Sequence, residues 1–280
     1  MSDNADSPPR PTFLVTKEYR RFVEFADACR RDRYIGICYG PPGVGKTRSA
    51  RHYARWDLIE PLLRGFGDVV TLPIPPEAAD CSTAIYTPTV TTTPHRMAHD
   101  LARLSLIFTK VIDDVRDPEG DHLILATGSH VELLIVDEAD RLRMQGLELV
   151  RDVYDRANLR AGTGLGVVLI GLPGIEKRLA RYAQLYSRIG FVHHYRPLGD
   201  AELRFILTHK WQEVGLTFST DDYTDGEALA AIARITGGNF RLVQRLFAQI
   251  ARVLEINQMR TITKEVVETA RESLVIGPLA

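Results

Sequence analysis

The strongest constraint on the fold of this chain is the segment Gly40-Pro-Pro-Gly-Val-Gly-Lys-Thr47, which matches the pattern G-x-x-x-x-G-K-[ST] in full. The residues before it, Tyr34-Ile-Gly-Ile-Cys-Tyr39, are mostly apolar and predict a short buried strand. The residues after it predict a helix over 48–60 that Pro61 and Gly65 end. A strand, a glycine turn and a helix N-terminus form the context of a phosphate-binding loop. The sequence therefore predicts binding of a nucleoside triphosphate.

Each residue type in this loop has a physical task. Glycines allow backbone N–H groups to curl around phosphate oxygens without Cβ clashes, and the helix dipole adds positive potential. The Lys46 ammonium is expected to reach the β- and γ-phosphates, and the Thr47 hydroxyl to bind Mg²⁺. The predicted nucleotide-binding residues are Gly40, Pro41, Pro42, Gly43, Val44, Gly45, Lys46, Thr47 and Arg48.

Composition and charge narrow the class of protein. The 280 residues are 45% hydrophobic and 25% charged, and no apolar run approaches the roughly 20 residues that span a bilayer. Three cysteines occur, Cys29, Cys38 and Cys81, with the spacing of neither a disulfide framework nor a metal site. The net charge of −1 indicates no general affinity for nucleic acid. We expect a cytoplasmic protein with no membrane segment, whose polar residues 1–12 form a disordered tail.

The order of predicted elements indicates an α/β unit followed by a helical unit. Strand-like runs at 35–39, 84–86, 131–136, 167–170 and 191–195 alternate with helical patterns, which favours a parallel sheet covered on both faces. A loop is predicted over the proline-rich stretch 56–81, and a helix over 95–113. After residue 199 only helical patterns follow, at 200–214, 221–236, 240–257 and 263–274. We therefore predict an α/β domain over 13–198 and a small all-helical domain over 199–280.

A second motif completes the first. The strand predicted at 131–136 ends in two adjacent carboxylates, Asp137 and Glu138. Beside a phosphate-binding loop, Asp137 is expected to hold Mg²⁺ and Glu138 to polarise the attacking water as general base. The string Asp-Glu-Ala-Asp140 also occurs in DEAD-box helicases, but the flanks of the loop differ from theirs and the chain is too short for a second RecA-like lobe. The two motifs together predict hydrolysis of the triphosphate.

In this order the motifs resemble those of AAA+ ATPases, over about residues 13–275. The resemblance implies ATP as the nucleotide and a P-loop fold with a five-stranded parallel sheet, flanking helices and a small helical lid. More narrowly, the chain is similar to the TnsC/TniB group of transposition ATPases, with the phage Mu B protein and IstB as more distant relatives. The segments that carry this likeness are Val136-Asp-Glu-Ala-Asp-Arg-Leu142, Val150-Arg-Asp-Val-Tyr-Asp155, Leu169-Ile-Gly171, Glu176-Lys-Arg178 and Leu185-Tyr-Ser-Arg188.

The resemblance also implies roles for two arginines. Arg188 precedes the last predicted strand, where AAA+ proteins place an arginine finger that contacts the γ-phosphate on a neighbouring subunit. Arg241, in Gly237-Gly-Asn-Phe-Arg241, resembles the sensor 2 residue that touches the nucleotide and couples it to the lid. The alternatives are that Arg188 caps its own helix and that Arg241 is an exposed arginine in the first turn of a helix.

The function that the family implies is selection of target DNA for transposition. Its subunits assemble on duplex DNA as ATP-dependent rings or helical filaments, recruit a transposase with or without a target-selection factor, and disassemble on hydrolysis. By the same resemblance, DNA contacts are expected between the second and third strands, and we predict Arg103 and Lys110 as DNA-binding residues.

One position departs from the family pattern. The strand predicted at 167–170 leads to Leu172 and Pro173, where the family usually has a polar sensor 1 residue that orients water. Leucine has no hydrogen-bonding group, so we expect slow hydrolysis, suited to a switch and not to a motor.

Two other functions fit the same motifs. A helicase- or clamp-loader-type ATPase would bind a helicase or a sliding clamp and would polymerise little on duplex DNA. A scaffold or signalling module would use ATP only to lock an oligomer. The leucine at position 172 favours the scaffold slightly, whereas Glu138 argues against it.

Overall fold

Five parallel strands form one sheet, in the order β2-β3-β4-β1-β5. The computed structural model describes residues 13–64, 73–119, 129–159, 164–219 and 222–274, so the tail predicted at 1–12 lies outside the described residues. The strands are β1 (Ile35–Tyr39), β2 (Thr83–Tyr86), β3 (Leu133–Val136), β4 (Gly166–Gly171) and β5 (Ile189–His194). All five lie where the apolar runs predict them, and the α/β fold with a parallel sheet is confirmed.

The helices cover the sheet and then continue as a separate layer. In the described part of the chain they are α1 (Lys17–Asp32), α2 (Lys46–Tyr53), α3 (Trp56–Arg64), α4 (Pro94–Arg116), α5 (Met144–Leu159), α6 (Ile175–Leu179), α7 (Ala183–Tyr186), α8 (Asp200–Glu213), α9 (Tyr223–Thr236), α10 (Phe240–Ile256) and α11 (Lys264–Glu272). Short 3₁₀ turns lie at Pro76–Asp80 and Ala139–Arg141. None of the helices in these ranges combines the length and the apolar character that crossing a membrane requires.

The prediction for residues 48–81 is wrong in two respects. The single helix expected over 48–60 is two helices, α2 and α3, because the chain turns at Arg55, which has a left-handed φ of 49°. Helix α3 then continues through Pro61 to Arg64, in part of the stretch where a loop was expected. A proline inside a helix removes one backbone hydrogen bond. Burial of Trp56 and Ile59, which are 5% and 0% exposed, stabilises the helix despite this loss.

The apolar side chains form two clusters. The larger surrounds the sheet and runs from Phe22 to Tyr195, with β3 and β4 buried along their whole length. The smaller is formed by α8 to α11 around Trp211, which is 1% exposed. Leu14 and Leu198, which lie before the predicted boundary at 198/199, also pack against the smaller cluster.

Backbone contacts join the helical layer to the sheet. Leu198 donates its N–H to the carbonyl of Gly238 at 2.9 Å. Gly238 has a φ of 73°, and a Cβ there would lie 2.3 Å from the Leu198 carbonyl oxygen, so only glycine fits without a shift. The N-terminus of α1 makes a second contact, because Glu18 N–H donates to Glu202 Oε1 on α8 at 2.9 Å. The helical layer is thereby held beside the carboxyl ends of the central strands.

Candidate nucleotide site

The predicted phosphate-binding loop joins the carboxyl end of β1 to the first turn of α2. Gly43 and Gly45 have φ values of 82° and 115°, which side-chain-bearing residues rarely adopt. A Cβ at Gly40 would lie 2.1 Å from the carbonyl oxygen of Tyr195, so the residue that follows β5 packs directly against the loop. The glycines at these positions are therefore required by backbone conformation and close packing, independently of any ligand.

Lys46 lies folded against the loop. Its ammonium donates to the carbonyls of Gly40 at 2.6 Å and Pro41 at 2.9 Å, and the residue is 9% exposed. Burial lowers the pKa of this ammonium group below its ordinary value. A buried cation whose hydrogen bonds go to carbonyl oxygens gains from an added anion.

Asp137 and Thr47 form the acidic and hydroxyl side of the site. Asp137 is 4% exposed, and burial raises the pKa of its carboxyl group. Hydrogen bonds from the Thr47 hydroxyl and from the Glu138 N–H, the latter at 3.0 Å, lower it in part. A carboxylate and a hydroxyl in contact are hard oxygen donors of the kind that Mg²⁺ accepts, and its charge would offset the burial of Asp137. The two residues predicted to hold the metal thus fit that ion.

Glu138 is held in an unusual backbone conformation at the end of β3. Its φ of 54° and ψ of 42° place it in the left-handed region, where non-glycine residues are rare and strained. Its side chain is 44% exposed and forms an ion pair with Arg141, which also donates to the Pro88 carbonyl at 3.1 Å. The predicted general base therefore has a charged partner in this form of the protein.

A cavity of about 340 Å³ opens beside Thr47 and Asp137. Its other walls come from α2, α3, α4 and the end of β2. Arg103, predicted as a DNA contact, lines this cavity, whereas Lys110 pairs with Asp114 on α4 at 3.0 Å. The structure thus places the two predicted DNA-binding residues in different surroundings and does not bring them together.

A second, mostly apolar pocket adjoins the loop on its other side. It is lined by residues that include Phe13, Leu14, Tyr19, Val44, Arg48, Tyr195, Leu198 and Phe240. The Arg48 guanidinium lies 5.8 Å from the ring centroid of Phe13 and 5.4 Å from that of Phe240. Aromatic faces beside a phosphate loop suit a planar base. No sequence pattern predicts that Phe13 and Phe240 line this pocket, because the two residues come together from opposite ends of the chain.

Helix α10 begins directly on the phosphate-binding loop. Asn239 caps this helix by accepting from Leu242 N–H, and its amide donates to the Pro42 carbonyl at 2.7 Å. Arg241 donates its backbone N–H to the Gly43 carbonyl at 2.9 Å. Burial is the main cause that lowers the pKa of Lys46, and the positive charge of the nearby Arg241 guanidinium lowers it further. The predicted sensor residue thus lies at the loop, where the helical layer contacts it.

Arg188 lies at the opposite edge of the sheet. Its carbonyl accepts from Ile35 N–H, at the start of β1, whereas the phosphate loop follows the end of that strand. Five strand residues separate the two edges by about 16 Å. Its guanidinium makes a two-pronged ion pair with Asp155 of α5, at 2.9 Å for each bond, and the third nitrogen donates to Gln184 O and Ser187 Oγ. Arg188 is therefore out of reach of its own loop and fully bonded within its own chain.

Leu172, at the expected sensor 1 position, has no polar side chain to offer but is anchored by its backbone. Its N–H donates to Asp140 Oδ1 at 2.6 Å, and its side chain is 44% exposed. Arg178 in turn donates to the Asp140 carbonyl at 2.8 Å. Asp140 thus connects the end of β4 to the turn that carries Asp137 and Glu138, a link that the sequence did not indicate.

Similarity to known proteins agrees with this geometry. The family model described as AAA domain matches residues 29–179. A potential ATP-binding protein of Staphylococcus aureus is 45% identical over 278 residues, which cover 95% of this chain and 97% of the relative. DNA transposition protein B of the Mu-like prophage FluMu, from Haemophilus influenzae, is 25% identical over 85% of this chain and 72% of its own length.

Solved structures show the same fold at low identity. The RuvB Holliday junction branch migration motor of Thermotoga maritima superposes with a TM-score of 0.58 and 18% identity, over 94% of this chain and 71% of RuvB. The ORC1 protein of Aeropyrum pernix, solved in complex with DNA, gives a TM-score of 0.54 and 19% identity, over 91% of this chain and 64% of ORC1. The chain belongs to the AAA domain family, and its fold is that of an AAA+ ATPase.

Proposed function

We propose that this chain is an ATP-dependent, DNA-binding regulator of DNA transposition in the manner of the TnsC/TniB group. It would assemble on target duplex DNA with ATP bound, recruit a transposase, and leave the DNA on hydrolysis. The similarity to a prophage DNA transposition protein B over 85% of the chain supports the transposition role. A target-selection factor is a further partner that this role implies.

The observation that carries the assembly part of the proposal is the position of Arg188. It lies at the amino edge of the sheet, about 16 Å of strand away from the loop that would hold its own nucleotide. An arginine there can stabilise the transition state only for a nucleotide bound by another subunit. The proposed site is therefore composite, and the nucleotide state controls the affinity between neighbouring subunits.

Each protomer would supply most of the chemistry at such a boundary. Lys46, which now donates to Gly40 O, and the loop N–H groups would bind the phosphates. Arg241 donates its N–H to Gly43 O, so it and the start of α10 would transmit their presence to the helical layer. Thr47 and Asp137 would hold Mg²⁺, which neutralises charge on the phosphates when bound. Glu138 would take a proton from the attacking water, while Arg188 of the next subunit neutralises charge that develops on the γ-phosphate.

Negative-stain imaging with duplex DNA tests this function directly. Wild-type chain and Glu138→Gln are imaged with ATP and with ADP, and Lys46→Ala, which should bind ATP far more weakly, serves as the matched control. We expect ATP-dependent rings or filaments on DNA that persist with Glu138→Gln after wild-type assemblies have dispersed. Loss of the general base should lower turnover by roughly 10²- to 10⁴-fold, which gives the variant this persistence.

Leu172 favours one second candidate function, an ATP-locked oligomeric scaffold, because it offers no polar side chain for hydrolysis. The same imaging separates the two functions. Closed rings that form with ATP and ignore DNA would support the scaffold. Monomers on DNA in all nucleotide states would exclude both.

A further inference from the structure

The first part of the phosphate-binding loop carries more hydrogen-bond acceptors than donors. Pro41 and Pro42 have no backbone N–H, so each offers only its carbonyl oxygen. A phosphate is bound by N–H groups and is repelled by carbonyl oxygens. These carbonyls must therefore face away from a bound nucleotide, and the groups that donate to them decide how this part of the loop is oriented.

Lys46 bonds the first two carbonyls of the loop but has a second task. Its ammonium donates to Gly40 O at 2.6 Å and to Pro41 O at 2.9 Å. In the proposed complex with ATP, the same group contacts the β- and γ-phosphates. An ammonium has three N–H bonds, so contact with two phosphates leaves it at most one carbonyl. Lys46 alone therefore cannot fix the loop once ATP is bound.

The start of α10 bonds the next two carbonyls. The Asn239 amide donates to Pro42 O at 2.7 Å. The Arg241 backbone N–H donates to Gly43 O at 2.9 Å. The two segments are in close contact, because a Cβ at Gly43 would lie 2.6 Å from Asn239 Oδ1. The proposed mechanism assigns neither donor to a phosphate, so both bonds can persist when ATP enters the site.

Asn239 has two contacts that can be separated by substitution. Its Oδ1 accepts from Leu242 N–H at 3.2 Å and so caps α10, whereas its Nδ2 donates to the loop. Serine caps a helix about as well as asparagine does. It has no amide group, and its hydroxyl ends one bond nearer the backbone. A serine at this position therefore keeps the helix cap and removes the contact with the loop.

We propose that Asn239 is a positioning residue for the phosphate-binding loop. It holds the Pro42 carbonyl against the helical layer, which keeps that oxygen away from the phosphates and leaves the N–H groups of residues 43–47 facing them. The loop is ordered before ATP enters, so none of the binding free energy is lost in ordering it. This inference rests on the ATP-binding part of the proposed function and adds to it a residue that sets the affinity for the triphosphate chain.

The test measures ATP binding and steady-state hydrolysis by Asn239→Ser. Its Kd and KM for ATP should rise by roughly 2- to 12-fold, the factor that one hydrogen bond of ordinary strength contributes, while kcat stays unchanged. Inorganic tripolyphosphate, which has no base, should lose affinity by the same factor in a competition titration, because Asn239 acts on the phosphate loop. The matched control is Asp222→Ser, the same kind of exchange at the cap of α9, which should bind ATP as wild type does.

A second variant separates positioning of the loop from stability of the helix. Asn239→Ala loses both the cap and the contact with the loop, so it should melt a few degrees below Asn239→Ser. The two variants should nevertheless bind ATP equally weakly, because both lack the bond to Pro42. If the affinity for ATP instead falls further in Asn239→Ala, in step with its melting temperature, Asn239 acts only by stabilising α10 and the inference is wrong.

The outcomes also separate this inference from the function on which it rests. A wild-type chain that binds no ATP would overturn both. If wild type binds ATP and Asn239→Ser binds it equally well or more tightly, only the inference is overturned. Weaker binding of ATP with unchanged binding of tripolyphosphate would overturn it too, because the effect would then arise in the aromatic pocket that includes Phe240.

Discussion

The two edges of the sheet hold their charged residues in opposite states. At the carboxyl edge, Lys46 and Asp137 are buried. Burial lowers the pKa of Lys46 and raises the pKa of Asp137, which in each case disfavours the charged form. Both residues therefore gain from a ligand of opposite charge. At the amino edge, Arg188 is already bonded through all three of its nitrogens, two of them to Asp155.

This difference means that nucleotide binding and subunit assembly would depend on different ends of the sheet. The phosphate half of the site is built in advance within one chain, and ATP needs only to enter it. In the proposed composite site the arginine half, in contrast, would have to exchange one partner for another, because Arg188 is bonded to Asp155 and would leave it to contact a neighbour's nucleotide. The exchange is cheap, since both side chains are about 30% exposed and such pairs contribute at most about 1 kcal/mol.

The largest effect is expected at the amino edge. Arg188→Ala should lower the hydrolysis rate of the assembled protein by roughly 10³- to 10⁵-fold, the usual contribution of an arginine finger, because charge on the γ-phosphate loses its partner. ATP binding to dispersed protomers, measured by titration of a fluorescent analogue, should be retained. Arg156→Ala is the matched control, an exposed arginine that pairs with Asp152 on α5. Assemblies of Arg188→Ala that hydrolyse ATP at the wild-type rate would show that the arginine is purely structural.

Lys46→Ala tests the carboxyl edge of the sheet. In contrast to Arg188→Ala, this variant should have a lower affinity for ATP. Removing one partner of a buried charge contact costs about 3–5 kcal/mol, which weakens ATP binding by roughly 150- to 4,000-fold. The same titration measures it, with Lys177→Ala as the control because Lys177 is exposed on α6. Equal ATP affinities in the two variants would mean that the loop binds its ligand without the ammonium group.

Asp155→Asn tests whether the ion pair between Arg188 and Asp155 opposes assembly of the subunits. Because the variant loses one charge of an exposed pair, Arg188 is released more easily, and the ATP-dependent assembly midpoint should fall by up to about fivefold in concentration. Light scattering against protein concentration gives this midpoint. A midpoint that rises would indicate that Asp155 orients Arg188 for the neighbour and does not hold it back.

Most of the fold could be predicted from the sequence because its signals are local. The five strands are short runs rich in apolar residues, and α9 to α11 begin at the capping residues Asp222, Asn239 and Thr263. The continuation of α3 through Pro61 could not be predicted, because it depends on burial of Trp56 and Ile59 by distant parts of the chain. The local preference of proline points the other way.

The site divides in the same manner. The residue types at Lys46, Thr47, Asp137 and Glu138 follow from pattern alone, and their roles stay predictions. What could not be predicted is which groups already have partners. The pair between Arg188 and Asp155 joins residues 33 apart in sequence, and the pair between Glu138 and Arg141 depends on the left-handed turn at Glu138. Both pairs govern availability for chemistry, which is a property of three-dimensional contacts.

The smallest expected effect is on the stability of the folded protein. It tests whether burial of the Asp137 charge destabilises the carboxyl edge when no ligand is bound. Because burial raises the pKa of Asp137 above its ordinary value of 3.8, the folded state holds the proton more tightly than the unfolded chain does. The stability of the ligand-free protein therefore falls as pH rises from the ordinary pKa of an aspartate through the raised pKa of Asp137.

Asp137→Asn removes the buried charge but keeps an oxygen that can accept from Glu138 N–H, so without nucleotide and Mg²⁺ it should melt a few degrees above wild type at pH 7. The gain should shrink as pH is lowered towards the raised pKa, because wild-type Asp137 then becomes neutral too. Thermal unfolding at a series of pH values measures both, with Asp80→Asn as the control because that aspartate is 78% exposed. With Mg²⁺ and ATP added the order should reverse, since a charged carboxylate would bind the metal more tightly than a neutral amide oxygen. A variant that is less stable than wild type at pH 7 without ligand would show that hydrogen bonds to Asp137 outweigh the cost of burying its charge, and the contrast between the two edges would then rest on Lys46 alone.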